Sequence, residues 1–512
     1  MSSPLPPQPP ASESREAVRL ARGTVAFFLL TSLGLGINYV YGIVISRRLG
    51  AEAFGLFSVG TTVCSIVSLM AVSGLDHAML RFVPGLDAVG KRAAARSTAS
   101  RIIRVGCGIG IAAGSVLFLA AAPLSGRFFG KVFLRPVIDV VAVAVPASVT
   151  GTLLLAFLQA RHDVRKRLAI KYLAEPVSRF GLSLGLIAAG WGLSGALAGY
   201  AASFWVSGFL ALRTFPRREA AAGGEIAVGV PVAGILRFAG PLAAGTAITL
   251  LTSRSDILIL GRLPDAAQAG LFAAASQTAG IMAIVLYSVE SVVMPHLSGA
   301  LMTGDRMRVR SLYVLALRWA LMLGVPLLAL GLLFPREIMG LFGERFRGAA
   351  GCLSILAGGQ FINLATGSAN YMLLLAGKPV LSTLFELAGG VVQLSLNLLL
   401  IPRWGIQGAA AAMLASVLVA NILRLVAVKM LLGLHPYERG LWKPLLAGLL
   451  LLAAILPIGK LFGGAPPLWL APILFGAYGG IMLAMGLHPN DREAVEGLFG
   501  RACLSVRVRV QG

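Results

Sequence analysis

An all-α integral membrane protein of about fourteen transmembrane helices, in two pseudo-symmetric six-helix lobes plus two C-terminal helices, is the fold that three observations predict. The 512-residue chain is 57% hydrophobic and only 13% charged, against about 25% charged in a soluble protein. Its mean hydropathy is +0.84. A W-G-x-x-G-A stretch at Trp191–Ala196 returns at Trp404–Ala409, too far apart for a solenoid period and therefore the mark of a duplicated half.

A helical span needs about 20 apolar residues. Fourteen such runs lie at 24–46, 55–75, 102–122, 137–160, 172–190, 192–212, 235–260, 268–292, 312–333, 350–375, 381–401, 405–428, 442–461 and 468–487. An even number places both ends on one side. Lys and Arg then divide 29 to 11 between the two sides, and the positive-inside rule makes the richer side, with both termini, cytoplasmic. Residues 1–23 are rich in Pro and Ser before Arg15, Arg19 and Arg22, which predicts a disordered cytoplasmic end. The domains expected are an N-lobe at 24–213, a cytoplasmic linker at 214–234, a C-lobe at 235–430, two extra helices at 431–487 and a cytoplasmic tail at 488–512.

The duplication extends beyond the tryptophans. Arg47–Gly60 (RRLGAEAFGLFSVG) leaves the first span and enters the second, and Gly261–Ala275 (GRLPDAAQAGLFAAA) does the same between the seventh and eighth. Six spans per half return the chain to the same side, so the halves read as parallel repeats.

Several classes are excluded. The net charge of +23 sits mostly in short loops between apolar runs, which is inner-loop patterning and not a nucleic-acid footprint. Cys64, Cys107, Cys352 and Cys503 form no C-x-x-C and read as small hydrophobes. No A-x-A site follows the first run, so no cleavable signal peptide is expected. No P-loop or zincin motif occurs. No cofactor is expected.

R-x-L-G-x-E-x-F-G-L-F after the first span, A-M-L-R-F-V-P at 78–84, S-R-S-D-I-L-I-L-G at 253–261 and the W-G-x-x-G-A turns resemble the polysaccharide-transporter branch of the multidrug/oligosaccharidyl-lipid/polysaccharide superfamily. The resemblance covers roughly residues 20–430. It implies two six-helix lobes around a central cavity and no covalent chemistry. It also implies flipping of an undecaprenyl-pyrophosphate-linked sugar repeat unit across the bacterial inner membrane. Glycosyltransferases and a polymerase would be its partners. The competing readings are a cation-coupled drug or metabolite antiporter of the same superfamily, a lipid II flippase and, from another class, a polytopic glycosyltransferase.

An ionisable group inside a span is a functional hypothesis because burial in lipid is costly. Thr246, Thr249, Ser253 and Asp256 would share one face of an unbroken helix, with Asp256 in a cavity or as a site for a coupling cation, H⁺ or Na⁺. Arg254 points the other way and could snorkel outward. Gln360, Asn363, Thr366 and Asn370 form a second stripe that suits sugar hydroxyls or, equally, helix–helix hydrogen bonding. Asn38 and Tyr41 make a smaller patch. Arg81 and Arg179 offer the planar fork that suits phosphate oxygens. Glu175 precedes Arg179 by four residues, so a structural ion pair competes for it. Arg424 could snorkel inward. Glu290 and Glu386 could each hold the coupling ion or be solvated helix ends.

Overall fold

The computed structural model describes residues 11–215, 229–461 and 467–485. The expected tail at 488–512 and most of the expected linker at 214–234 lie outside the described residues. Every regular element among the described residues is helical. The first helix opens at Ala11, inside the segment expected to be disordered. Ala, Glu and Arg, all good helix formers, follow one another there.

Nine helical segments among the described residues are long and apolar enough to cross a membrane, and the protein is a multi-pass membrane protein. Three of them, Leu30–Ala88, Val164–Thr214 and Pro379–Leu432, run 59, 51 and 54 residues, at least twice the roughly 20 that a bilayer needs. Each joins two expected spans end to end at a glycine with non-helical backbone: Gly50, Gly190 with Gly192, and Gly405. The shorter apolar helices Trp442–Ala454 and Leu468–Ala484 stand where the last two spans were expected.

The W-G-x-x-G-A turns account for two of these joints. Gly192 has φ 50°, ψ −128°, and Gly405 has φ 54°, ψ −130°, a region open to glycine alone. The second glycine of each motif works by packing. A Cβ on Gly195 would lie 3.0 Å from the Leu186 backbone, and one on Gly408 would lie 2.4 Å from Leu400 O. Trp191 and Trp404 are each 60% exposed, as interfacial anchors should be.

The chain forms two compact units, Met1–Gly270 and Leu271–Gly512. The first unit thus takes in helices Val232–Ser253 and Ser255–Arg262, which the sequence repeat assigns to the second half. Its core is the helix Arg135–Ala160 packed on Arg92–Leu119. The ridge Gly106, Gly110 and Gly114 is buried. A Cβ at Gly106 would sit 2.1 Å from Leu153, and one at Gly114 2.8 Å from Ala142 O, so small residues set this close crossing. A tighter crossing lies at the end of the unit. A Cβ on Gly55 would fall 2.0 Å from Ala266 O, and one on Gly270 2.6 Å from Ala51 O.

The second unit is built on the helix Arg306–Leu333. Its Tyr313 is buried with Leu297, Met372 and Val428. Its Val325 packs with Phe334, Ala447, Leu474 and Tyr478, which fixes the last two helices to the unit.

Candidate functional site

In the first unit, Arg179 lies on helix Glu175–Leu186 and collects partners from three helices. Its Nη2 donates to Glu175 Oε1 at 2.8 Å, its Nη1 to Asn38 Oδ1 at 3.0 Å, and its Nε to Ser203 Oγ at 3.4 Å. The guanidinium lies 4.8 Å from the centroid of Tyr200 and 5.5 Å from that of Phe204. Two predicted site residues, Asn38 and Arg179, are therefore brought together. The arginine is only 13% exposed and is committed inside the unit. Glu175 also takes Lys171 Nζ at 3.1 Å on both oxygens. One buried carboxylate is thus shared by two cations.

Arg81 has the opposite setting. It is exposed, on helix Leu75–Ala88, and its guanidinium lies 4.7 Å from the Phe238 ring and 5.8 Å from Phe82. The two helices approach closely next to Phe238, because a Cβ on Gly74 would lie 2.3 Å from Ala239 O. A strap secures the start of helix Val232–Ser253, which carries Phe238. Arg101 Nη1 donates to Gly229 O at 2.9 Å and Val230 O at 3.0 Å, and Val230 N donates to Thr98 Oγ1 at 3.0 Å. The Arg81 guanidinium thus lies within cation–π reach of both rings.

The Asp256 stripe needs correction. Helix Val232–Ser253 ends at Arg254, with φ −112°, ψ 9°, and a new helix starts at Ser255. The i, i+3, i+7, i+10 spacing assumes one unbroken helix, whereas the break at Arg254 separates the half-buried threonines from the buried Asp256. Thr246 and Thr249 donate to Leu242 O and Gly245 O of their own helix. Asp256 is buried, and its Oδ1 accepts from Ile257 N at 2.6 Å. Arg254, at the break, is exposed.

In the second unit the Gln360 stripe is also interrupted. Helix Ala350–Ala365 stops and Ala369–Leu375 begins, with Gly367 at φ 63° between them. Asn363 Oδ1 accepts from Asn421 Nδ2 at 2.6 Å, and Asn421 Oδ1 accepts from Thr366 Oγ1 at 3.1 Å. Asn370 accepts from Ser382. The amides thus tie the broken helix to Pro379–Leu432, which is the helix–helix reading of that stripe. Gln360 is half-buried. Arg424 does not snorkel alone. It donates to Glu386 Oε2 at 3.0 Å, with the glutamate 55% exposed. Glu290 is buried at 6% exposure beside Ser368.

Comparison with known proteins places this geometry. A family model described as polysaccharide biosynthesis protein matches residues 20–300, more than half of the chain. The chain belongs to the polysaccharide biosynthesis protein family. A curated relative, the probable low-salt glycan biosynthesis flippase Agl15 of Haloferax volcanii, is 27% identical over 169 residues. That match covers 33% of this chain and 36% of the relative, so the chain spans about a third of that protein's length. Among solved structures, the lipid II flippase MurJ in its inward closed conformation superposes with a TM-score of 0.73 at 12% identity, covering 93% of this chain and 99% of the other. An inward-facing multidrug resistance MATE family transporter of the MOP superfamily gives 0.65 at 15% identity, with 80% and 98% covered. These likenesses establish the fold. The relatives found are named as flippases and transporters.

Within this family member, sequence reading missed Lys171, Asn421 and Arg318. Lys171 was counted as a loop charge, although its i, i+4 spacing to Glu175 was legible. Arg318 is buried at 6% exposure, two turns inside its span. Gln393 and Asn397 are likewise buried. Their i, i+4 spacing on an apolar span was the signal available for them.

Proposed function

We propose that this polysaccharide biosynthesis protein is a flippase. It carries an undecaprenyl-pyrophosphate-linked oligosaccharide repeat unit across the bacterial inner membrane by alternating access, with both chain termini in the cytoplasm. Family membership supports the reading, and so does the flippase named among its relatives. The observation that carries it is Arg81. The resemblance motif supplies it, its guanidinium lies 4.7 Å from the Phe238 ring, and its side chain is exposed. A planar fork beside an aromatic ring suits paired phosphate oxygens. Arg254, exposed at a helix break, is a second cation for the same head group. Asn38, Arg179, Gln360, Asn363 and Asn370 are the further cavity residues of this proposal.

Transport is driven by a coupling cation, H⁺ or Na⁺, for which Asp256, Glu290 and Glu386 are the carboxylates considered. Glycosyltransferases that build the repeat unit act before this step and a polymerase after it. The test is cellular. Cells lacking the protein should accumulate the lipid-linked repeat unit on the inner leaflet while lipid II export continues. Normal outer-leaflet delivery in those cells, or a block in lipid II instead, contradicts the proposal.

A further inference from the structure

Of the three carboxylates, Glu290 differs from the others in its surroundings. Glu386 is paired with Arg424 and mostly exposed. Asp256 is engaged at its own helix start. Glu290 is buried at 6% exposure, midway along helix Ile281–Met302, and has no ion-pair partner among the described residues.

The elements packed around Glu290 supply no compensating charge. From Arg306–Leu333, Leu312, Ala316 and Trp319 pack against the neighbouring Val289 and Val293. From Ala350–Ala365, Ala357 and Leu364 pack against the same helix one to two turns earlier. Tyr287, on its own helix, and Tyr371, from Ala369–Leu375, are the titratable neighbours. Ser368 stands beside the carboxylate. It is 1% exposed, and its hydroxyl has no hydrogen-bond partner among the described residues. Ser368 sits at the break where Gly367 takes φ 63°, directly before helix Ala369–Leu375.

A buried carboxylate without a countercharge does not stay charged. It takes a proton or a metal cation. A hard cation wants about six oxygen ligands. No group of three or more His, Cys, Asp or Glu that could hold a metal ion exists among the described residues. We propose that Glu290 is a proton-binding site whose protonation state sets the conformation of the Thr366–Ser368 break. Neutral Glu290 leaves Ser368 in the buried position seen here. Charged Glu290 demands donors or water, and the break is the backbone next to it that can yield. The link to transport rests on the flippase reading; proton binding does not.

The experiment uses the full chain in lipid vesicles without substrate. Acid-minus-alkaline infrared difference spectra of the wild type should show the carbonyl stretch of a protonated carboxyl in a dry environment. Glu290→Gln should lose that band, while Glu290→Asp, Asp256→Asn and Glu386→Gln keep it. Amide hydrogen exchange at 366–371 should depend on pH in the wild type and not in Glu290→Gln. The same band in Glu290→Gln, or pH-independent exchange in the wild type, overturns the site. If the wild type shows both signals and yet moves no lipid-linked glycan, the flippase reading fails and the proton site stands.

Discussion

Gly192 and Gly405 stand 213 positions apart and share one backbone conformation, φ 50°, ψ −128° against φ 54°, ψ −130°. Each follows a tryptophan that is 60% exposed. The duplication is therefore structural as well as textual. The repeated W-G is a chain reversal between two spans, and its glycine is required by dihedral angle.

Gly192→Ala and Gly405→Ala should each lose about 1–3 kcal/mol, the cost of forcing a side chain into that region. Gly36→Ala, where a Cβ meets nothing within 4 Å, is the control. Thermal unfolding in detergent measures all three. Equal stability of the three variants would contradict the account of the turn.

Gly55→Val should be severe, because even a Cβ there would lie 2.0 Å from Ala266 O. Overpacking against backbone costs about 1–3 kcal/mol or more. The folded yield in membranes should fall well below that of Gly36→Ala.

The Glu175 cluster should behave as a buried ion network. Arg179→Ala removes one of two cations from a carboxylate that is 6% exposed and should cost about 3 kcal/mol. Asn38→Ala removes one hydrogen bond to the guanidinium and should cost about 1–3 kcal/mol. In a double-mutant cycle the two losses should be less than additive, since they share Arg179. Full additivity would mean that the 3.0 Å contact contributes nothing.

Lys131 gives a pH dependence. It lies between spans, is buried at 6% exposure, and its Nζ has no hydrogen-bond partner among the described residues. Burial pushes its ammonium below the ordinary value of 10.5, and the charges of Asp265 and Glu52 only partly offset this. The unfolded chain therefore binds this proton more tightly than the folded one. Stability should rise as pH climbs through the window between the lowered folded value and 10.5. Below that window the penalty is present in full. Lys131→Met should raise stability at neutral pH and flatten the rise, as followed by unfolding at a series of alkaline pH values.

Much of the fold was legible in the sequence because lipid imposes length and hydropathy on every span. The two tryptophan turns and the glycine ridge at 106–114 could be placed from residue types alone. The polar sites were less legible for a definite reason. The stripes through Asp256 and Gln360 were drawn on unbroken helices, whereas the backbone breaks at Arg254 and around Gly367. A sequence does not announce such breaks, since Arg254 is an ordinary residue and Gly367 one glycine among 62. Arg424 and Glu386 are 38 residues apart and meet only through the folding back of one long helical segment. No motif marks Asn421, and only the fold brings it to Asn363.

The most direct test of the central claim is reconstitution of purified protein into vesicles carrying a fluorescent undecaprenyl-pyrophosphate-linked oligosaccharide, with the leaflet distribution read by a membrane-impermeant quencher. The wild type should move the lipid between leaflets. Arg81→Ala should fold normally, since its side chain is exposed, and transport at least about tenfold more slowly, the loss expected from one charge-assisted phosphate contact of roughly 1.5–3 kcal/mol. A wild-type protein that leaves the lipid-linked glycan where it was loaded, or an Arg81→Ala variant that moves it at the wild-type rate, would contradict the account.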